Sequence, residues 1–343
     1  MLERVHCNLC GADNTAPLTE IDGFHIVRCR QCGLTYVNPR FAQQALHEIY
    51  TESYYEHDGI NNGQKFYGYD DYVQDEENIK ITFARRLRVI EGLAGDMARP
   101  CLAGGMARPC LAGDMARLSY ANRGQLLDVG CATGFFLDLA RSKGWNVVGT
   151  EVSSFGARFA QERFGLDVRL GTLRELRFDD QAFDVVTMWD VIEHVLDPMA
   201  ELLEVHRVLR QGGLLSIITP DASSPVARLL GSRWEEYRRV REHVYFFSRR
   251  TLAEMLRKAG FDILRMESAD KVFYLGPAMQ RLKYYAWDGA IPRLATRWVY
   301  RLGLDKVRLN INPFTKMTVY ARRQGEVSPS FRRGEVSPSV RRG

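Results

Sequence analysis

The sequence predicts an α/β fold preceded by a small cysteine-rich module, and three observations carry that prediction. Residues 126–151 read as strand, small-residue turn, helix, strand and acid, half of a nucleotide-binding unit. Apolar strands and helices go on alternating after Glu151. Ahead of both, Cys7-x2-Cys10 and Cys29-x2-Cys32 stand 18 residues apart.

The cysteine-rich module comes first in the chain, over residues 1–40. Each pair sits on a tight turn, Cys10-Gly11 and Cys32-Gly33, so two sulfurs converge from one short loop. Two such knuckles at this spacing predict a structural Zn2+ held by Cys7, Cys10, Cys29 and Cys32. Disulfides are the rival, disfavoured in a reducing compartment. His6 and His25 read as bystanders. A ribbon of about 40 residues has little room for a core, so metal binding is expected to supply its stability.

Residues 41–92 read as a helical connector. Ala42 to Tyr50 has helical spacing, and a longer helix over about 72–92 puts Ile79, Phe83, Leu87 and Ile90 on one face. Between them Tyr54, Tyr55, Tyr67, Tyr69 and Tyr72 form an aromatic loop ahead of the first main strand, in place to cover a ligand. Residues 93–119 then repeat a nine-residue unit, LAGDMARPC, and residues 321–343 repeat another, GEVSPSFRR. Neither unit has a strong apolar face, so both are expected to be disordered.

Charge and composition exclude some classes. With 45% hydrophobic and 26% charged residues the chain is a globular type, and no apolar run reaches membrane-spanning length. The start MLERVHCNLC lacks a signal-peptide core, which points to the cytoplasm. The net charge is +5, of which the tail carries +4 and the repeats +1. The rest is neutral, so binding of nucleic acid by a basic fold loses its main support.

The main strand, Leu126 to Val129, stops at Gly130-Cys131-Ala132-Thr133-Gly134, and a helix pattern begins at Phe135. Small residues let backbone approach a ligand, and the helix start offers unpaired N–H groups. The next strand, Val147 to Thr150, ends in Glu151, whose carboxylate can accept both hydroxyls of a ribose. A dinucleotide fingerprint needs a third glycine where this chain has Phe135.

Beyond Glu151 a helix is expected over 153–164 and a strand over 167–170, leading into Gly171-Thr172-Leu173. Phe183 to Trp189 is a buried strand ending at Asp190. A helix follows, broken near Pro198 and stopped by Gly212-Gly213; Leu214 to Thr219 and Phe314 to Tyr320 are further strands. Residues 271–305, rich in aromatics and arginine, suit a substrate lid, a dimer face or a helix on a membrane surface.

Acid-x-Gly-x-Ala-x-Gly at 128–134 resembles the first motif of class I S-adenosylmethionine (SAM)-dependent methyltransferases, with Ala132 in place of the middle glycine. FDVVTMWDVIEHVLDP, RVLRQGGLLSIITPD and HVYFFSRRTLAEMLRKAGF resemble later segments of that family, in its order, over residues 122–265. The resemblance implies a Rossmann-like seven-stranded sheet, the last strand antiparallel, in a domain over 120–320 with a substrate region at 226–310. SAM would lie across the strand ends. Asp128, Gly130, Cys131, Ala132, Thr133 and Gly134 would hold its methionine part, Glu151 with Val152 its ribose, and Leu173 would lie beside the adenine. The family usually carries an acid near Leu173, which this chain lacks. Asp190 would sit next to the methionine or the acceptor, or else cap the following helix.

The cysteine module, the core and a Glu-His stretch together are similar to sugar C-methyltransferases, in which a histidine at this place serves as base. His243, with Glu242, is the candidate here; the Glu193-His194 pair reads as structural. The implied acceptor is a small molecule such as a nucleotide sugar. Two rivals are an RNA methyltransferase, which predicts salt-dependent RNA binding without the tail, and an interaction protein with an inactive core, which predicts no turnover.

Overall fold

The computed structural model describes residues 2–42, 76–95, 123–276, 279, 290–312 and 314–324. The helix at 42–50, the tyrosine loop, residues 96–119 of the first repeat and nearly all of the tail lie outside these residues.

Five strands make up the N-terminal module: β1 (Leu2–Glu3), β2 (Thr15–Ile21), β3 (Phe24–Cys29), β4 (Thr35–Val37) and β5 (Arg40–Phe41). α1 (Glu76–Gly95) follows, the helix expected from residue 72. The main unit then runs β6 (Gln125–Val129), α2 (Phe135–Ser142), β7 (Asn146–Glu151), α3 (Ser154–Phe164), β8 (Val168–Leu170), α4 (Leu173–Leu176) and β9 (Phe183–Trp189). It continues with α5 (Pro198–Val208), β10 (Leu209–Pro220), α6 (Pro225–Leu230), β11 (Tyr245–Phe246), α7 (Arg249–Lys258) and β12 (Phe261–Ser268). The last elements are β13 (Lys271–Tyr274), α8 (Ala290–Arg301), β14 (Arg308–Ile311) and β15 (Lys316–Arg323).

Seven strands form one sheet in the order β12-β15-β10-β9-β6-β7-β8. Neighbours from β10 to β8 are parallel, and β15 runs antiparallel between β10 and β12. The strand order reverses between β6 and β9. Loops leaving the two strands there part to opposite faces, and the crevice at their carboxyl ends is where such sheets take ligands. The turn at 130–134 and Asp190 both stand at that crevice.

Side-chain alternation gives the sheet two faces. Leu126, Val185, Leu214 and Tyr320 point to one, where Leu87 and Ile90 of α1 and Phe136 of α2 cover them. Leu127, Val186, Leu215 and Val319 point to the other, against Leu202 and Val205 of α5.

The helix expected after Asp190 needs correction. Pro198 begins α5 instead of breaking it: its missing N–H costs nothing in the first turn, and the Asp197 side chain caps Ala200 N. Nor do Gly212 and Gly213 stop that helix. It ends at Val208, and both glycines lie in β10, where Gly212 at φ 73° accompanies a register shift between Leu209 and Leu214.

A second correction concerns the N-terminal module, which has more core than its length suggests. β11 joins the sheet of β2, β3 and β4, with Tyr245 opposite Tyr36 and Phe246 opposite Thr35. Cys7, Leu9, Leu34 and Tyr36 belong to the same buried cluster as Phe247, Leu252 and Leu256 and the α5 face of the main sheet. Polar ties reinforce the contact: Arg40 donates to Leu196 O and to the Tyr245 hydroxyl, and Lys258 donates to Leu9 O. Packing against the main unit therefore supplies stability that the module's own length does not.

Residues 271–305 are described in part. β13 pairs with β14, and α8 leaves Leu294 and Trp298 exposed. Among the described residues no helix is long and apolar enough to cross a membrane.

Candidate functional site

The turn after β6 is wound tightly. Gly130, Ala132 and Gly134 all take positive φ, at 70°, 50° and 78°. A Cβ on Gly130 would meet Val191 Cγ2 at 2.6 Å, and one on Gly134 would meet Ala160 and Leu166 at 2.8 Å. Ala132 accepts the left-handed conformation at a cost of about 1 kcal/mol.

Glu151 holds this turn. One carboxylate oxygen accepts from Ala132 N and the other from Ser153 N, both at 2.8 Å. The acid at the end of β7 is thus buried and fixed in direction. Gly171 N donates to Glu151 O at 2.8 Å, which brings the Gly171-Thr172-Leu173 stretch alongside. Thr172 and Glu175 form a capping box there, so α4 starts at Leu173.

Not every turn residue faces outward. Gly130 and Ala132 are half-buried, while Cys131, Thr133 and Gly134 are buried. The Cys131 side chain lies inward against Gly149, and the Leu173 side chain belongs to the core, so each offers a ligand its backbone alone. Val152 is exposed.

Asp128 lies below the turn, with the Thr187 hydroxyl donating to it at 2.5 Å. Burial, with the Glu151 charge added, pushes its carboxyl up to about 7 against that hydrogen bond. The Thr133 hydroxyl is buried without a partner. A ligand carrying an ammonium beside Asp128 fits this donor set, because a cation favours the carboxylate form.

Asp190 does not cap a helix. Its side chain pairs with Lys316 of β15 at 2.8 Å, and α5 is capped by Asp197. Burial acts to raise the Asp190 carboxyl, but the Lys316 charge outweighs it and holds the group low. Spacing could not reveal Lys316, which reaches the site only through the insertion of β15.

Beyond Asp190 the two Glu-His pairs meet. The His194 and His243 rings stand edge to face at 4.5 Å, and Glu193 joins them so that the donor atoms of all three lie within 4.8 Å. The backbone locks this arrangement: Val244 N and Tyr245 N both donate to Glu193 O. Burial drives His243 well below its ordinary pKa and pushes Glu193 up to about 8, with the Asp190 charge adding to the latter. Glu242 accepts from Arg239 at 2.6 Å; that guanidinium outweighs burial and holds it at about 2. Glu193 and His194, read from sequence as a structural pair, stand inside this cluster, while Glu236 and Arg239 carry no local signal that separates them from ordinary surface charges.

The four N-terminal cysteines also converge within 4.8 Å. Sγ of Cys7 is 3.4 Å from Cys32, and Sγ of Cys10 is 3.5 Å from Cys29. All four are free thiols, spaced near the roughly 3.8 Å that tetrahedral zinc–sulfur bonds require. His6 and His25 pair with Asp13 and Glu20 instead.

Residues 107–265 match the family model described as a methyltransferase domain. That match covers just under half of the chain. Over 148 residues it is 31% identical to a ubiquinone biosynthesis O-methyltransferase of Cereibacter sphaeroides, covering 40% of this chain and 60% of that protein. A Mycolicibacterium smegmatis protein named for SAM-dependent methyl transfer is 30% identical over 139 residues, 40% of this chain and 52% of the relative. The chain thus spans less than two thirds of either relative. A solved methyltransferase chain from Bacillus halodurans aligns over 62% of this chain and 98% of its own length, at 15% identity and a TM-score of 0.44.

Proposed function

We propose that the protein transfers a methyl group from SAM to a small-molecule acceptor in the cytoplasm. The observation that carries this reading is Glu151, held by Ala132 N and Ser153 N at the strand-order reversal of a methyltransferase domain. On this reading the acid takes the ribose hydroxyls, with Val152 exposed beside it. Asp128 and the backbone of Gly130, Cys131, Ala132, Thr133 and Gly134 take the methionine part; the Leu173 backbone takes the adenine edge. SAM supplies an electrophilic methyl on a sulfonium, and the protein's task is alignment.

The acceptor end is the cluster beyond Asp190. His243 acts there on the acceptor's proton-bearing group, and Glu242 fixes Arg239 beside it. The names of the relatives favour a hydroxyl acceptor, and nucleotide sugars are the first to screen. The Cys7, Cys10, Cys29 and Cys32 site holds a structural zinc.

Calorimetric titration with S-adenosylhomocysteine tests the reading. Micromolar binding to the wild type, lost in Glu151→Ala, is expected. No binding to the folded wild type overturns it.

A further inference from the structure

A buried carboxylate or imidazole needs a partner, because desolvation leaves an unpaired polar atom costly. Two such groups, Glu193 and His243, meet here with polar atoms left unpartnered. Glu193 is 1% exposed; its Oε2 accepts from the Thr219 hydroxyl at 2.9 Å, and its Oε1 has no partner. His243 is 0% exposed, and neither ring nitrogen has a hydrogen bond. His194, half-buried, completes a set whose donor atoms all lie within 4.8 Å.

The surrounding charges are already paired off, and Glu193 is left over. Lys316 pairs with Asp190 at 2.8 Å, and Arg239 with Glu242 at 2.6 Å. The second carboxylate in reach of Arg239, Glu236, has its Oε2 at 3.3 Å from His243 Nδ1. A carboxylate behind one imidazole nitrogen turns the other toward a metal and sharpens it as a donor.

We propose that Glu193, His194 and His243 form a second metal site, for a divalent transition ion, at the acceptor end of the methyltransferase domain. Two imidazoles and one carboxylate suit zinc, cobalt, iron or manganese, and three protein ligands leave coordination positions open. His243 then acts through the ion. An acceptor hydroxyl bound in an open position would be acidified by the ion and lose its proton to water, and its oxygen would then take the methyl from the sulfonium as S-adenosylhomocysteine leaves. This use of the ion rests on the methyl-transfer reading; the binding of the ion does not.

The zinc-loaded full chain is dialysed against micromolar Co2+, and its metals are counted by elemental analysis beside the visible spectrum. One cobalt per chain is expected, with zinc retained and no thiolate-to-cobalt charge-transfer bands. Glu193→Gln and His194→Gln should each lose it, at least tenfold in affinity. If Glu193→Gln unfolds, His194→Gln decides, since that side chain is half-buried. A folded wild type that takes no cobalt, cobalt showing thiolate bands, or cobalt retained by His194→Gln overturns the proposal. S-adenosylhomocysteine titration of the same samples separates the two readings: binding of that ligand without cobalt removes the metal site alone, and cobalt without the ligand removes methyl transfer alone.

Discussion

The cysteine site and the Glu193–His194–His243 cluster are built in opposite ways. Four sulfurs from two short loops close the first, with no position left for a ligand. The second draws two residues from the turn after β9 and one from the turn before β11, and its half-buried histidine leaves it open. A closed site suits architecture and an open one suits chemistry. The two are nonetheless mechanically joined: Val37 N donates to Val244 O, and Val244 N donates to Glu193 O. Strand β4 of the cysteine module is therefore two hydrogen bonds from the cluster.

The largest effect should come from opening the closed site. If the site holds the proposed zinc, Cys7→Ser with Cys10→Ser should remove the ion and lower stability by more than about 4 kcal/mol, given what structural zinc contributes elsewhere. Because the module shares a buried cluster with the main sheet, calorimetry should show one transition at lower temperature. A module that melts alone, with the main transition unmoved, would break the link between the two regions.

A milder cut at the same junction sharpens the point. Tyr245→Phe removes the hydroxyl that accepts from Arg40 and donates to Leu196 O. A loss of about 1–2 kcal/mol in denaturant unfolding is expected. A change below about 0.3 kcal/mol would mean that apolar packing alone holds the module.

Asp128 offers a pH test independent of both clusters. Asp128 has its carboxyl pushed up to about 7 by burial, above the unfolded value near 4. Folding therefore favours its protonated form, and the ligand-free protein should lose stability as pH rises from about 4 to about 7. A ligand ammonium favours the carboxylate, so S-adenosylhomocysteine should bind more tightly as pH rises through 7, by about tenfold between pH 6 and 8. Asp128→Asn should flatten the profile. A profile unchanged in that variant would move the ammonium elsewhere.

The smallest effect is expected at Ala132, the departure from the all-glycine turn. Ala132→Gly relieves the φ of 50° but adds freedom to the unfolded chain, so stability should move by less than about 1 kcal/mol. If the methyl crowds the methionine part, ligand affinity rises a few fold; an unchanged affinity shows that the turn accommodates it.

Sequence by itself determined what is local. Strand and helix periods placed β6 to β9, the spacing of Cys7, Cys10, Cys29 and Cys32 marked two converging knuckles, and the small residues at 130–134 marked a turn with Glu151 behind it. In each case the residues that cooperate are neighbours in the chain or lie on adjoining elements. The misplacement of α5 was also local, because Pro198 reads as a break unless it is seen as a first-turn residue.

Tertiary structure alone decided what is distant. Insertion of β15 between β10 and β12 brings Lys316 to Asp190, 126 positions earlier in the chain. Pairing of β11 with β4 sets His243 beside Glu193 and His194 and gives the cysteine module a core it could not build. No period or spacing encodes such meetings. They arise when apolar faces are buried together, and the polar groups carried along must then find partners in one another or in an ion.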